Sequence, residues 1–181
     1  MTSRFIVPCE PTLRDRLPRG EGWLYEVKFD GYRMQIHKEG KQITLYTCRG
    51  ADWTARFPHL LEPLHSAVHR RIETGTMLWG FDLMAQNGND LRAVALEDRK
   101  RRLGHLIVRA QIAQLLHSQT FEAGDRILAE CEARGLEGVT AKHQGSIYRS
   151  GRSTSWIKVK CPSWREANRD RGKLFGEEPG S

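Results

Sequence analysis

Residues 23–47, WLYEVKFDGYRMQIHKEGKQITLYT, contain three short runs in which apolar and polar residues alternate. Alternation of this kind places one set of side chains on each face of a β-strand. Asp30-Gly31 and Glu39-Gly40 separate the three runs, and these residue types favour tight turns. The segment therefore predicts three consecutive strands in a meander.

Helical and strand-like patterns alternate along the rest of the chain. Apolar residues recur at helical spacing in three segments: residues 56–72, 96–107 and 124–134. Short apolar runs next to turn residues predict three further strands: residues 77–84, 139–142 and 155–160. The run 112–116 fits either a strand or a helix. Strands and helices in this order predict an α+β fold.

The two ends of the chain differ from its middle. Residues 1–22 carry three prolines among charged residues and predict an irregular lead-in. Residues 163–181 form a basic tail, in which residues 164–173 favour a helix. A single domain is therefore expected over residues 23–162.

The composition excludes several classes of protein. Lys and Arg outnumber Asp and Glu by 29 to 22, and the net charge of +7 favours anionic partners such as nucleic acid, nucleotide phosphates or acidic membrane surfaces. No apolar run approaches the length that spans a bilayer, and the N-terminus does not resemble a secretory signal. The four cysteines include no CxxC pair, which predicts independent thiols in the reducing cytoplasm.

Lys28 opens the most informative short motif, Lys28-Phe29-Asp30-Gly31-Tyr32-Arg33. A lysine at the end of a strand, beside a glycine turn and an arginine, suits an accessible nucleophile or a phosphate contact. The same residues also fit an ordinary exposed hairpin, in which Asp30 is a turn residue. Spacing alone leaves both interpretations open, so the motifs further along the chain decide between them.

Four more motifs follow Lys28 along the chain. They are Cys48-Arg49-Gly50, Phe81-Asp82-Leu83, Glu137-Gly138-Val139-Thr140-Ala141-Lys142 and Trp156-Ile157-Lys158-Val159-Lys160. With these motifs, residues 23–164 resemble the adenylation domain of ATP-dependent DNA ligases, among the covalent nucleotidyltransferases, and most of all the bacterial ligases of the end-joining type. The resemblance implies an ATP-grasp-like fold of antiparallel sheets flanked by helices.

The resemblance gives Lys28 the role of the nucleophile. Its neutral amine attacks the α-phosphorus of ATP, displaces pyrophosphate and forms a lysyl-AMP phosphoramidate. AMP then passes to a 5′-phosphate at a nick in DNA, which the 3′-hydroxyl attacks. Arg33, Lys158 and Lys160 would favour the neutral amine by like-charge repulsion and would offset phosphate charge.

The resemblance also assigns ATP contacts to residues near Lys28. Lys158 and Lys160 lie two apart, so a strand places both on one face; they contact phosphates, or else form a solvated basic edge. Glu26 shares the face of Lys28 and recognises the adenine amine. The alternative interpretation of Glu26 is a cross-strand ion pair. Phe81 stacks on the adenine ring, or is an ordinary core residue.

Two further roles complete the implied site. Arg49 contacts the ribose and phosphate side of ATP, although an arginine before a loop glycine is often only solvated. Glu137 holds Mg²⁺ near the triphosphate, as a hard oxygen ligand does. Outside this motif, a glutamate just after a helix is an exposed charge.

Two other clusters have less specific patterns. His59, His65 and His69 predict a surface stripe rather than a zinc site, because no cysteine or carboxylate completes a ligand set. The run Arg99-Lys100-Arg101-Arg102 predicts a solvated helix face, with contacts to duplex phosphates as the alternative.

The sequence departs from the family in two places. The strand that carries a DGE motif in the family is missing, because no DGE triplet occurs and Glu73 stands alone in the short segment 73–76. Residues 161–181 are too few for the oligonucleotide-binding barrel that normally follows. A separate repair protein is the expected source of any missing function.

The sequence therefore predicts a shortened ligase adenylation domain that uses ATP and Mg²⁺ on nicked or broken double-stranded DNA, in DNA repair or recombination. The alternative is a degenerate, non-catalytic relative that binds nucleic acid or a repair partner through its basic surface. An RNA-directed nucleotidyltransferase is a third candidate, since the lysine motif is shared across that superfamily.

Overall fold

A computed structural model describes residues 5–65 and 76–169 of the chain. The strands in these ranges are β1 (Cys9–Leu13), β2 (Trp23–Lys28), β3 (Met34–Glu39), β4 (Gln42–Thr47), β5 (Leu78–Gly80), β6 (Ala85–Gln86), β7 (Asn89–Asp90), β8 (Leu115–His117), β9 (Gly138–His143) and β10 (Gly151–Lys160). The α-helices are α1 (Pro58–His65), α2 (Leu96–Ala110), α3 (Gly124–Ala133) and α4 (Pro162–Ala167). No helix among the described residues has the length and apolar character to cross a membrane.

The four-stranded sheet is the centre of the fold. Its strand order is β1-β10-β9-β2, and β9 runs antiparallel to both of its neighbours. Lys28 at the end of β2 and Lys160 at the end of β10 both align with Gly138 on β9. The ends of three strands therefore meet in one row, next to Glu137.

One face of this sheet packs against α3. Tyr25, Val139 and Val159, one from each of three strands, form a buried cluster with Cys131 of α3. Because side chains alternate across a strand, the residues of opposite parity lie on the other face. That second face carries Glu26, Lys28, Lys142, Lys158 and Lys160.

The predicted three-stranded meander is wrong in its pairing. β2 pairs with β9, whereas β3 and β4 form a separate antiparallel hairpin. The second edge of β2 is taken by Phe121, whose backbone exchanges two hydrogen bonds of 3.0 and 2.9 Å with Tyr25. The strands themselves lie where the alternation places them, but β2 has no free edge for β3.

The predicted irregular lead-in is also wrong for residues 9–13. They form β1, which runs parallel to β10 at the edge of the main sheet. An edge strand tolerates proline because one side of it needs no hydrogen-bond donor, and the register shifts between Pro11 and Thr12. The main sheet is therefore mixed rather than purely antiparallel, and β5 and β8 form a separate parallel pair.

Other predicted elements lie close to their observed positions. Helices α2 and α3 fall on the predicted segments, and Gly135 follows α3 with a φ of +65°. The ambiguous run 112–116 contributes to strand β8. Residues 66–72 of the predicted first helix, together with Glu73, lie outside the described residues, and His69 is among them.

Two strands differ in length from their predictions. The strand predicted over 77–84 is observed only as β5, and residues 81–84 are irregular; there the Leu83 N–H donates a hydrogen bond of 2.8 Å to the Asp82 carboxylate. The strand predicted over 155–160 is longer than expected, since β10 begins at Gly151. All four cysteines carry free thiols; Cys48 is exposed and the others are buried.

Gly104 offers a test of the helix α2. It lies in the interior of this helix, and a Cβ built on it would meet no atom within 4 Å. We expect Gly104→Ala to raise the free energy of unfolding by about 0.5–1 kcal/mol, because alanine loses less backbone entropy in a helix. Urea unfolding followed by circular dichroism measures this change, and a loss of stability would contradict it.

Candidate active site

Lys28, Glu137 and Lys160 form a compact charged group at the end of the main sheet. The Lys28 Nζ lies 2.5 Å from the Glu137 Oε2, and the Lys160 Nζ lies 3.3 Å from the Glu137 Oε1. The side chain of Glu137 is only 6% exposed, whereas that of Lys28 is 28% exposed. The two lysine side chains are therefore partly exposed, whereas the carboxylate between them is buried.

Local backbone structure fixes the place of Glu137. This residue lies between α3 and β9, and its carbonyl accepts a hydrogen bond of 3.0 Å from the Cys161 N–H at the end of β10. Gly138 follows with a φ of +150°, where a Cβ would lie 2.1 Å from the Val159 carbonyl oxygen. The glycine of the EGVxAK motif thus allows β9 to approach β10 directly beside the carboxylate.

Lys158 belongs to the same group of charges. Burial lowers its pKa from the ordinary lysine value, and the positive charges of Lys28 and Lys160 lower it further. Glu137 and Glu10 act in the opposite sense. The four residues that sequence analysis placed together, Lys28, Glu137, Lys158 and Lys160, are therefore neighbours, and their combined positive charge suits a phosphate ligand.

Glu26 lies deeper, in a buried ionic cluster on the same face. Its Oε1 is 3.0 Å from the Lys100 Nζ and 2.9 Å from the Lys142 Nζ, and its Oε2 accepts a hydrogen bond of 2.8 Å from the Ser118 Oγ. Burial acts to raise the pKa of this carboxyl, but the two lysine charges hold it below its ordinary value. The ion-pair interpretation of Glu26 therefore matches these contacts.

Phe81 and Arg33 lie against the outer side of this cluster. The Arg33 guanidinium is 5.4 Å from the centre of the Phe81 ring and donates a hydrogen bond of 2.6 Å to the Cys9 carbonyl. Phe81 is half-buried and packs near Trp156. It is part of the edge of the core and is also partly open to solvent.

The predicted solvated face on α2 is wrong for two of its four residues. Arg99 is fully buried in a two-bonded ion pair with Asp82, and Lys100 is buried against Glu26. Arg101 and Arg102 are exposed as predicted. The buried pair escaped sequence analysis because their carboxylate partners lie 17 and 74 positions away along the chain.

Lys142 is the residue of this site that sequence analysis missed. It ends the EGVxAK motif and has the same strand parity as Thr140 and Gly138, so it shares the face of Lys28. That shared parity was the sequence signal that could have identified Lys142. Arg49, in contrast, is exposed in the turn after β4.

A metal site built from protein ligands alone is not found among residues 5–65 and 76–169, where no group of three or more His, Cys, Asp or Glu side chains converges. His59 and His65 belong to this part of the chain, whereas His69 does not. Asp30 lies in the bend between β2 and β3, as expected of a turn residue.

Comparison with known proteins gives a consistent result. The family model described as ATP dependent DNA ligase domain matches residues 8–77 and 68–160. The multifunctional non-homologous end joining protein LigD of Pseudomonas aeruginosa is 38% identical, over 87% of this chain and 22% of its own length. A DNA ligase of Sulfophobococcus zilligii is 29% identical, over 85% of this chain and 34% of its own length. The chain thus spans about a fifth to a third of these relatives.

Solved structures agree with the sequence relatives. A mycobacterial DNA ligase D complexed with ATP and MES has a TM-score of 0.69 and 25% identity, covering 85% of this chain and 60% of its own. A Chlorella virus DNA ligase-adenylate has a TM-score of 0.60 and 15% identity, which shows the fold alone. These matches confirm the resemblance drawn from the motifs and the α+β nucleotidyltransferase fold.

Proposed function

Because this chain belongs to the family of ATP-dependent DNA ligase domains, we propose that it is a ligase-type nucleotidyltransferase with Lys28 as its nucleophile. The observation that carries the proposal is the convergence of Lys28, Lys158 and Lys160 on Glu137 at the end of the main sheet. A surface of this charge attracts a polyphosphate and holds the attacking amine beside it.

The first step forms a covalent adduct on the enzyme. The Lys28 amine, once it has lost its proton, forms a bond to the α-phosphorus of ATP, and the bond from that phosphorus to pyrophosphate breaks. The ion pair of 2.5 Å between Lys28 and Glu137 must open for this attack. Lys158 and Lys160 stabilise the negative charge on the phosphates.

The next two steps act on DNA. The AMP passes from Lys28 to the 5′-phosphate of nicked or broken double-stranded DNA, and the lysine amine is regenerated. The 3′-hydroxyl then attacks the activated phosphate and releases AMP. We place this activity in DNA repair in the cytoplasm, with a separate repair protein as a partner for functions beyond those of this chain.

The other residues serve to bind ATP. Phe81 stacks on the adenine, Arg33 and Arg49 contact the phosphate and ribose, and Glu26 recognises the base from within its ionic cluster. The half-exposed ring of Phe81 supports the stacking role, since a flat ring open to solvent can receive a base.

Glu137 is the residue that would hold Mg²⁺. One carboxylate together with phosphate oxygens is a donor set that magnesium accepts, because this ion keeps several water or substrate ligands. When bound, the ion neutralises negative charge on the phosphates. The single carboxylate fits this role only when ATP is also present.

A non-catalytic, nucleic-acid-binding relative is the second candidate function. The observation in its favour is the absence of a DGE triplet from the sequence. In this case the lysine cluster, Lys28, Lys158 and Lys160, binds phosphates without forming an adduct.

Covalent labelling separates these two functions. The protein is incubated with α-³²P-labelled ATP and Mg²⁺, denatured and examined for bound label. We expect label on the wild type and on Lys41→Ala, which alters an exposed lysine of the β3–β4 turn, and none on Lys28→Ala. A folded wild type without label would exclude the enzymatic proposal and favour the second candidate. A nicked-DNA sealing assay then tests the later steps.

A further inference from the structure

We propose that Lys142 is a positioning residue of the nucleotide pocket, in which its ammonium group joins the buried carboxylate of Glu26 to the face of the Phe81 ring. The proposal rests on the proposed function, because it concerns the pocket assigned there to the adenine of ATP. It adds a residue to that pocket for which sequence analysis gave no role.

The position of Lys142 is unusual for a lysine. Its side chain is only 3% exposed, and its Nζ lies 2.9 Å from the Glu26 Oε1. The same Nζ lies 4.8 Å from the centre of the Phe81 ring and 4.3 Å from that of Trp156. A carboxylate and two aromatic rings therefore surround this ammonium group.

Charge balance shows why the rings matter. Glu26 is one carboxylate shared by two buried lysines, because Lys100 lies 3.0 Å from the same oxygen. One negative charge cannot neutralise two positive charges, and an unbalanced buried charge is costly. Lys100 instead donates a hydrogen bond of 2.9 Å to the Ser118 carbonyl, whereas Lys142 has the negative faces of two rings. The two rings thus stabilise the charge of Lys142, and the Lys142 ammonium in turn restricts the orientation of the rings.

This arrangement fixes the orientation of Phe81. The centre of the ring lies 4.8 Å from the Lys142 Nζ and 5.4 Å from the Arg33 guanidinium. A ring held in this way is ready to stack on a base without first losing rotational freedom. Removal of the ammonium would free the ring and leave the phosphate-binding lysines in place, since those lie at the other end of β9.

The test compares a ligand that has a base with one that lacks it. Isothermal titration calorimetry measures binding of α,β-methylene-ATP, which cannot transfer AMP, and of inorganic tripolyphosphate. We expect Lys142→Met to weaken binding of the nucleotide analogue about tenfold, the size of a desolvated cation–π contact. Binding of tripolyphosphate should change less than twofold. A general loss of structure would weaken both ligands alike.

Two further variants provide controls. Lys100→Met removes the other ammonium from Glu26 but touches neither ring, so its effect on the analogue should be clearly smaller than that of Lys142→Met. Lys142→Arg keeps the charge and should retain most of the affinity, whereas Lys142→Gln should not. This second pair of variants gives the same comparison if the methionine variant does not fold.

Each outcome has one meaning. Equal analogue affinity in wild type and Lys142→Met, with Lys28 still labelled by ATP, would overturn the role of Lys142 alone. A parallel loss for the analogue and tripolyphosphate in a variant that circular dichroism shows to be folded would do the same. Failure of the wild type to bind the analogue and to become labelled would overturn the proposed function together with this inference.

Discussion

Replacement of Arg99 by leucine is expected to lower the free energy of unfolding by about 3–5 kcal/mol. The Arg99 and Asp82 side chains are 0% and 4% exposed, and the guanidinium meets the carboxylate at 2.8 and 3.0 Å. Arg99 also donates hydrogen bonds to the carbonyls of Val94 and Ser146. Leucine would leave a buried carboxylate and two carbonyls without these partners, which costs far more than an exposed pair.

Arg102 on the same helix is the matched control. It is exposed, and Arg102→Leu should change stability by about 0.5 kcal/mol or less. The double variant Arg99→Leu/Asp82→Leu should recover much of the loss, because it removes the unpaired charge as well. Urea unfolding at constant pH measures all three. A loss below about 1 kcal/mol for Arg99→Leu would show that the pair adds little to stability.

The group formed by Lys28, Glu137, Lys158 and Lys160 could be predicted from the sequence. Lys158 and Lys160 are two positions apart on a strand, so their shared face follows from the period of the pleat. The EGVxAK motif supplied Glu137, and the structure brings its carboxylate within 3.3 Å of both Lys28 and Lys160. Local periodicity and motif order were sufficient here because these residues lie in or next to the end of a regular strand.

The buried ionic cluster could not be predicted in the same way. A run of four basic residues on a helix favours a solvated face, because lysine and arginine are rarely buried without a partner. The partners of Arg99 and Lys100 are Asp82 and Glu26, which local spacing does not connect to them. The same limit applies to β1, whose partner strand β10 lies about 140 positions further along the chain. Long-range pairing decides both features.

Gly138→Ala is expected to lower the free energy of unfolding by about 2–6 kcal/mol, since overpacking and backbone strain each cost about 1–3 kcal/mol. A Cβ at this position would lie 2.1 Å from the Val159 carbonyl oxygen and 2.8 Å from the Lys160 Cα, at a φ of +150°. The strands β9 and β10 would have to separate beside Glu137. We therefore also expect weaker covalent labelling of Lys28 under conditions in which the variant stays folded.

Gly135→Ala separates the cost of backbone strain from the cost of overpacking. Gly135 also has a positive φ, of +65°, but nothing lies within 4 Å of a Cβ built on it. Its substitution should cost only the backbone strain, about 1–2 kcal/mol, and should leave labelling of Lys28 unchanged. If Gly138→Ala cost no more than Gly135→Ala, the close approach of β9 to β10 would not be what positions Glu137. If it cost more and labelling fell with it, the glycine of the EGVxAK motif would be needed for the geometry of the lysine cluster, because no larger residue allows the two strands to meet there.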